Sequence, residues 1–190
     1  MIQQSASPIE FLVTTLLELY LLAVLLRFLL QTARANYRNP VSQFLVKVTS
    51  PVLSPMRRVI PAWGRVDLAS LLLLVVLQLA AIGFMAWFRG AGAGPGMLLL
   101  WAVAELVSLT FNVYIFAILI QAVLSWVNPG VYNPVGEVLE SLTAPVLRPV
   151  SGLIPPISGI DLSPLFAILG LQVLKMTVVP ALHQLAAAAG

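Results

Sequence analysis

Six polar side chains lie within long apolar runs of the sequence, where their types could support ion or proton transfer. Three of them are ionisable, namely Glu18, Glu105 and Lys175. An ionisable group is costly to bury in apolar surroundings, so each one is a candidate for function. We expect Lys175 to pair with Glu18 or Glu105. The alternative is a structural role, as hydrogen bonds between helices or as side chains that extend toward water. The other three are the amides Gln78, Asn112 and Gln172.

No other combination of residues in the sequence indicates catalysis or a bound cofactor. There is no cysteine and a single histidine, His183, so the chain cannot form a thiolate site or a cluster of imidazole ligands. The stretch GAGAGPG, residues 90–96, lacks the Lys and Ser/Thr of a phosphate-binding loop. We therefore predict that the protein is not an enzyme and has no catalytic, cofactor-binding or metal-binding residues.

The composition indicates that lipid surrounds most of the chain. Of the 190 residues, 60% are hydrophobic and 9% are charged, with a mean hydropathy of +1.00. Soluble domains are about a quarter charged. Four runs are long enough to cross a bilayer, which takes about 20 apolar residues in a helix. We predict four transmembrane helices, because a backbone in lipid must satisfy its own hydrogen bonds. They cover about residues 11–30, 68–88, 97–127 and 162–182.

The distribution of positive charge predicts the side of the membrane that each loop faces. Six of the ten Lys and Arg residues lie between the first two apolar runs. Loops that are rich in positive charge stay in the cytoplasm. We therefore expect residues 31–67 and 128–161 to be cytoplasmic and both termini to lie outside.

Each predicted cytoplasmic segment contains the same proline-rich motif. Residues 39–61 read NPVSQFLVKVTSPVLSPMRRVIP, and residues 133–155 read NPVGEVLESLTAPVLRPVSGLIP. The match holds at a constant offset of 94 residues, so the chain comprises two tandem repeats, residues 1–90 and 97–190. Two spans in each unit make the repeats parallel. The motif positions are Asn39, Pro40, Thr49, Pro51, Pro55, Pro61 and Asp67 in the first repeat, and Asn133, Pro134, Thr143, Pro145, Pro149, Pro155 and Asp161 in the second.

The motif predicts a short amphipathic helix at the membrane surface followed by a proline-shaped bend. We call this segment the elbow (residues 39–61 and 133–155). An asparagine followed by a proline is typical of a helix start. We expect Pro51 and Pro145 to stop the elbow helix, and Asp67 and Asp161 to cap the spans that follow. The apolar positions of the first elbow have the spacing of one helical face, and they are Val41, Phe44, Leu45 and Val48.

The first elbow is the more basic of the two. We expect Lys47, Arg57 and Arg58 to contact anionic lipid or a partner protein, since each charge contributes about 1 kcal/mol beside an anionic leaflet. The second elbow has Ser151 and Gly152 in place of the two arginines. The alternative is that both elbows only pack against their own transmembrane helices.

The stretch SLTAPVLRPVSGLIPPISGIDLSPL, residues 141–165, resembles the signature of the YggT family of small bacterial and plastid membrane proteins. The first elbow is similar to it, so the resemblance covers nearly the whole chain as two tandem units. It implies an all-α protein of a bacterial inner membrane with no established enzymatic activity. It also implies associations with osmotic tolerance, ion homeostasis and cell-division gene neighbourhoods. In plastids the family is associated with cytochrome assembly and nucleoid organisation.

Two functional hypotheses follow. The first is a membrane organiser or assembly factor linked to osmotic tolerance or to cell-envelope and division processes. The alternative is a component of an ion or osmolyte transport system. The expected partners are the lipid bilayer, with anionic phospholipid at the cytoplasmic face, and other membrane proteins. A homo-oligomer is a further option, and no direct binding of nucleic acid is expected.

Overall fold

The computed structural model describes residues 8–63, 66–88, 94–127, 133–153 and 161–189. In these residues six helices follow one another: α1 (Pro8–Thr32), α2 (Pro40–Val59), α3 (Leu68–Phe88), α4 (Pro95–Val127), α5 (Pro134–Leu153) and α6 (Ser163–Ala188). Helices α1, α3, α4 and α6 are long and apolar enough to cross a membrane. They contain the four predicted spans, and α2 and α5 occupy the two elbows. The predicted all-α fold with four transmembrane helices is confirmed.

Both elbow helices begin where the motif predicts. The Oδ1 atom of Asn39 accepts a hydrogen bond of 2.9 Å from the backbone N–H of Val41. Asn133 accepts the same bond from Val135, also at 2.9 Å. The first residue of each helix is a proline, which is tolerated there because the first N–H groups of a helix have no intrahelical partner. At its other end α2 stops at Val59, ahead of Pro61, whereas Pro155 lies outside the described residues.

The prediction that Pro51 and Pro145 stop the elbow helix is wrong. Helix α2 continues through Pro51 and Pro55, and α5 continues through Pro145 and Pro149. A proline inside a helix leaves the carbonyl four residues earlier without its N–H partner. All four prolines lie on the exposed side of their helix, so the carbonyls that they free also face away from the core. The carbonyls that lack an intrahelical hydrogen bond are therefore not buried in the apolar interior, where they would be most costly.

The four spans form an open row. Helix α1 packs against α3, α3 against α4, and α4 against α6, and α1 also touches α4. Within the described residues neither α1 nor α3 contacts α6. The apolar core lies mainly in the first repeat, where Val24, Leu53 and Leu74 pack with Val113 of α4 and Leu142 of α5. Helix α6 therefore stands at one edge of the row and is largely exposed.

The elbows pack against the same end of the row. Helix α2 contacts α1 and α3, and α5 contacts α4 and α6. The two elbow helices also contact each other, and α5 reaches α1. Both elbows therefore lie on one side of the row, which is the arrangement that parallel repeats require.

Helix α1 ends in a turn that favours glycine, although the sequence has an arginine there. The N–H of Ala35 bonds to the carbonyl of Leu30 at 2.9 Å, and the N–H of Arg34 bonds to that of Gln31 at 3.2 Å. These are the two bonds of a Schellman motif. They place Arg34 in the left-handed region, with φ 57°, which is costly for any residue with a Cβ atom.

We expect Arg34→Gly to raise the free energy of unfolding by about 0.5–1 kcal/mol, because glycine adopts the left-handed conformation without strain. The measurement is equilibrium unfolding in mixed detergent micelles, followed by circular dichroism. Arg34→Ala keeps the strain and should give no such gain. A lower stability for Arg34→Gly than for Arg34→Ala would contradict this explanation.

Candidate functional site in the first elbow

A polar cluster joins the end of α2 to the start of α3. The Nε atom of Arg57 donates to Oδ2 of Asp67 at 2.9 Å, and a second guanidinium nitrogen contacts the same oxygen. The guanidinium also donates to Oε1 of Gln31 on α1 at 3.0 Å. The Arg57 side chain therefore connects three helices. Arg57 was predicted to contact lipid or a partner, but the structure places it in this internal contact, with about a third of its side chain exposed.

Asp67 is the buried centre of this cluster. Its Oδ2 atom accepts a hydrogen bond of 2.6 Å from the hydroxyl of Ser70, and the backbone N–H of Ser70 also bonds to the carboxylate. Burial by itself would raise the pKa of Asp67. The hydrogen bonds from Ser70 and Arg57, with the charge of Arg57, outweigh burial and hold the pKa below its ordinary value. Asp67 is therefore ionised at neutral pH and is the N-cap predicted for α3.

A second arginine is buried one helical turn before Gln31. Arg27 on α1 donates from one nitrogen to Oγ1 of Thr49 at 2.6 Å, to Oγ of Ser50 at 3.2 Å and to the carbonyl of Val46 at 3.4 Å. Thr49 in turn donates to the carbonyl of Leu45 at 2.6 Å. The motif threonine thus attaches the elbow helix to the span that precedes it.

The second repeat makes the same attachment with a neutral side chain. Gln121 is the counterpart of Arg27 at the offset of 94 residues, and its Oε1 atom accepts from the hydroxyl of Thr143. Thr143 also bonds to the carbonyl of Leu139, at 2.9 Å. The sequence predictions missed Arg27 and Gln121, although the repeat offset aligns these two long polar side chains.

The cationic cluster belongs to the first repeat alone. Asp161, the counterpart of Asp67, was predicted to cap the last span, but α6 begins at Ser163 and its N-cap is Leu162. Asp161 lies one residue earlier and accepts a hydrogen bond of 2.8 Å from the backbone N–H of Ser163. Ser151 stands at the position that corresponds to Arg57, so the second repeat has no arginine at the position from which Arg57 reaches Asp67. Both repeats therefore have a carboxylate just before a span, and within the described residues an ion pair is seen for Asp67.

A second polar contact joins the two repeats. The Nδ2 atom of Asn39 donates to the carbonyl of Pro134 at 2.7 Å and to Oε2 of Glu137 at 2.9 Å. Asn36 donates to Oε1 of the same carboxylate at 2.8 Å. Asn39 is 2% exposed, so the residue that caps α2 also connects the first turn of α2 to the first turn of α5. The motif gave no signal for this role of Glu137.

The hypothesis that Lys175 pairs with Glu18 or Glu105 is wrong. The Nζ atom of Lys175 donates to Oδ1 of Asn112 at 2.6 Å. Oε1 of Glu105 instead lies 3.5 Å from Nε2 of His183. Both contacts join α4 to α6, which agrees with the structural alternative of hydrogen bonds between helices. Glu18 is exposed on α1, and the structure brings neither Gln78 nor Gln172 into these contacts.

Of the three basic residues predicted to act at the surface, Lys47 and Arg58 are exposed. They are 11 residues apart on α2, which is close to three helical turns and places them on one side of the helix. The residues of the predicted apolar face of α2 differ in their burial. Leu45 packs into the core, whereas Phe44 and Val48 are exposed beside the two charges.

Within the described residues no group of three or more His, Cys, Asp or Glu side chains is placed to bind a metal.

Four apolar spans and two elbow helices on one side define a multi-pass α-helical membrane protein built by tandem duplication. The family model described as CCB3/YggT matches the chain twice, at residues 6–88 and 100–182. The chain therefore belongs to the CCB3/YggT family.

Related proteins are similar to the chain along most of their length. An uncharacterized protein of Pseudomonas aeruginosa is 43% identical over 171 residues, which cover 89% of this chain and 87% of that protein. The uncharacterized protein YggT of Escherichia coli K12 is 40% identical over 179 residues, 93% of this chain and 92% of that protein. A Haemophilus influenzae protein is 34% identical over 151 residues, 80% of each chain. No solved structure matches the chain.

Proposed function

We propose that the chain is a non-enzymatic organiser of the bacterial inner membrane, and that the exposed basic side of α2 binds anionic phospholipid headgroups. The elbows would then lie at the cytoplasmic face, with both termini outside. In this role the protein binds particular lipids or membrane proteins next to itself. It thereby assists processes of the cell envelope, including osmotic tolerance.

The observation that carries this proposal is the exposed basic strip on the first elbow. Lys47 and Arg58 project from one side of α2, and Arg34 and Arg38 are exposed in the segment that precedes this helix. Arg57 and Asp67 largely neutralise each other, so among the described residues of this segment these four side chains supply the outward positive charge. Among the described residues of the second repeat, Arg148 is the exposed basic side chain on the elbow helix. A basic strip next to apolar side chains suits an anionic leaflet.

The same charge distribution supports the proposed orientation. The basic strip and both elbows lie on one side of the row of spans, and segments rich in Lys and Arg stay in the cytoplasm. Anionic lipids give the cytoplasmic leaflet a negative surface potential. The tendency of positively charged segments to stay in the cytoplasm and their attraction to anionic lipid therefore favour the same side of the membrane.

The proposal predicts that Lys47→Gln together with Arg58→Gln weakens the preference for anionic phospholipid. Two charges at about 1 kcal/mol each correspond to roughly a 30-fold loss in relative affinity. The measurement compares the phosphatidylglycerol and phosphatidylethanolamine retained by protein purified from mixed vesicles. Lys175→Gln is the matched control, because it removes a positive charge that is bonded to Asn112 between two spans. An unchanged preference in the double variant would refute the proposed lipid contact.

The transport alternative rests on one observation, the Lys175 ammonium within the apolar α4–α6 contact, bonded to an amide. A transport component would carry ions or osmolytes across vesicles that contain the purified protein, and Lys175→Met would abolish that flux. Absence of flux from the unmodified protein would leave the organiser function as the one to pursue.

A further inference from the structure

We propose that the first elbow contains a binding site for a phosphate group, formed by the guanidinium of Arg57 and the hydroxyl of Tyr37 in front of the buried Arg27. The phosphate would belong to a lipid headgroup or to a soluble phosphate compound, since both present the same anionic oxygens. This inference goes beyond the proposed lipid contact. It involves neither Lys47 nor Arg58, and it would hold even if those two side chains bound no lipid.

The first observation is an excess of positive charge in the polar cluster. Arg27 is 7% exposed, and its described hydrogen-bond acceptors are two hydroxyls and a backbone carbonyl, all of them neutral. Asp67 lies close enough for its charge to act on Arg27, but it is bonded to Arg57. Two guanidinium groups therefore share one carboxylate, and one positive charge has no bonded anion among the described residues. A charge with so little exposure is costly unless it is paired, so an anionic ligand would stabilise this arrangement.

The second observation is that Arg57 has donor groups that the cluster does not use. Its described hydrogen bonds employ Nε and Nη2, so within the described residues Nη1 has no protein partner. About a third of the side chain is exposed, so a ligand can reach this nitrogen. Guanidinium groups bind phosphate oxygens through short, charge-assisted hydrogen bonds.

The third observation is a hydroxyl donor on Tyr37, which lies between α1 and α2. Tyr37 is 51% exposed, and its hydroxyl makes no hydrogen bond within the described part of the chain. Burial raises the pKa of Tyr37, the charges of Arg57 and Arg27 oppose that rise, and the charge of Asp67 adds to it. The hydroxyl therefore keeps its proton at neutral pH, and it lies close enough for all three charges to act on it.

The second repeat indicates that these residues are not needed to build an elbow. Helix α5 has 20 residues, as α2 does, and the bond between Thr143 and Gln121 attaches it to its span. The charges of the first repeat therefore provide something that the elbow fold does not require. The residues at the positions of Arg27, Tyr37 and Arg57 in the second repeat are Gln121, Val131 and Ser151.

The position of the cluster favours phosphate as the anion. The cluster lies where α1 and α2 end and α3 begins, which is at the end of the apolar spans and therefore at the headgroup level of a bilayer. Phospholipids present phosphate groups at that level. A guanidinium nitrogen and a hydroxyl that both donate suit an acceptor with several anionic oxygens.

The test measures binding to the full chain in maltoside micelles by isothermal titration calorimetry. The lipid probe is dihexanoyl phosphatidylglycerol, and the soluble probe is glycerol 3-phosphate. We expect Tyr37→Phe to lower the affinity about tenfold, because one hydrogen bond to a charged group is lost. Arg27→Gln introduces the residue of the second repeat and should also lower the affinity about tenfold, because the excess charge is lost.

Tyr114→Phe is the matched control, because it removes a tyrosine hydroxyl from α4, outside the first repeat. We expect this control to bind like the unmodified protein. Binding of the lipid alone would assign the site to a headgroup, and binding of both probes would show that a soluble phosphate suffices; either result supports the proposal. It would be overturned if neither probe bound, if acetate bound as tightly as glycerol 3-phosphate, or if Tyr37→Phe and Tyr114→Phe had equal affinities. Tyr37→Phe leaves the Arg57–Asp67 pair in place, so it decides the test even if Arg27→Gln fails to fold.

Discussion

Replacement of Asp67 by alanine is expected to lower the free energy of unfolding by about 3 kcal/mol. The change removes the N-cap of α3, which contributes about 1 kcal/mol. It also removes the partner of Arg57, and a hydrogen bond between charged groups contributes about 1.5–3 kcal/mol. We take the lower part of that range because about a third of the Arg57 side chain is exposed to screening. Equilibrium unfolding in mixed detergent micelles measures the loss.

Asp161→Ala is the internal control for this prediction. Asp161 occupies the same place in the second repeat and accepts a hydrogen bond at the start of α6, but it has no arginine at the position of Arg57. We expect Asp161→Ala to cost about 1 kcal/mol, the contribution of the helix-start bond alone. Equal losses in the two variants would show that the Arg57–Asp67 pair adds nothing to stability.

The pH dependence of stability separates the ion pair from the cap in the same experiment. The folded pKa of Asp67 lies below its ordinary value, so its contribution is fully present above the pKa of the unfolded state. The contribution is lost as the pH falls through the folded value. Asp67→Ala should therefore reduce the loss of stability on acidification, and its difference from the unmodified protein should shrink as the pH falls below about 4.

Replacement of Thr49 by valine is the second variant with a large expected effect, about 2–3 kcal/mol of unfolding free energy. Valine has nearly the same shape, so the change removes the hydroxyl without opening a cavity. Thr49 provides the shortest of the three contacts to the buried Arg27, at 2.6 Å. When a buried charged group loses a hydrogen-bond acceptor, the free-energy cost of removing that charge from water is less well offset, and the folded state is destabilised.

Thr143→Val tests whether charge is the reason for that cost. The hydroxyl of Thr143 bonds to the neutral Gln121, so we expect a loss of about 1 kcal/mol. Arg27→Gln should rescue part of the stability of Thr49→Val, because glutamine leaves no buried charge behind. If the two threonine variants were equally destabilised and Arg27→Gln gave no rescue, the charge of Arg27 would not be the cause.

The parts of the fold that depend on local residue type could be predicted from the sequence. Hydropathy and length located the four spans. The Asn-Pro pairs located the starts of α2 and α5, because side-chain capping acts within three residues of the cap. The helix stop predicted at Pro51 failed for a reason that local pattern does not contain. A proline is tolerated within a helix when the carbonyl that it frees faces outward, and that orientation depends on how the elbow packs.

The partners of the polar side chains could be predicted less well. Opposite charge favoured a pair between Lys175 and either Glu18 or Glu105. The register of α4 against α6 instead brings Lys175 to Asn112 and Glu105 to His183. Arg57 and Arg58 were both predicted to contact anionic lipid or a partner, because both belong to the basic first elbow. Adjacent residues on a helix point about 100° apart, so one of the pair reaches Asp67 and the other remains exposed.

The junction at Glu137 makes the two halves of the chain complementary rather than interchangeable. The first half supplies two amide donors and the second half supplies the carboxylate that accepts them. In the first half the position of Glu137 is occupied by Gln43, so two first halves would have no carboxylate to share. Separately expressed halves should therefore assemble with each other in preference to themselves.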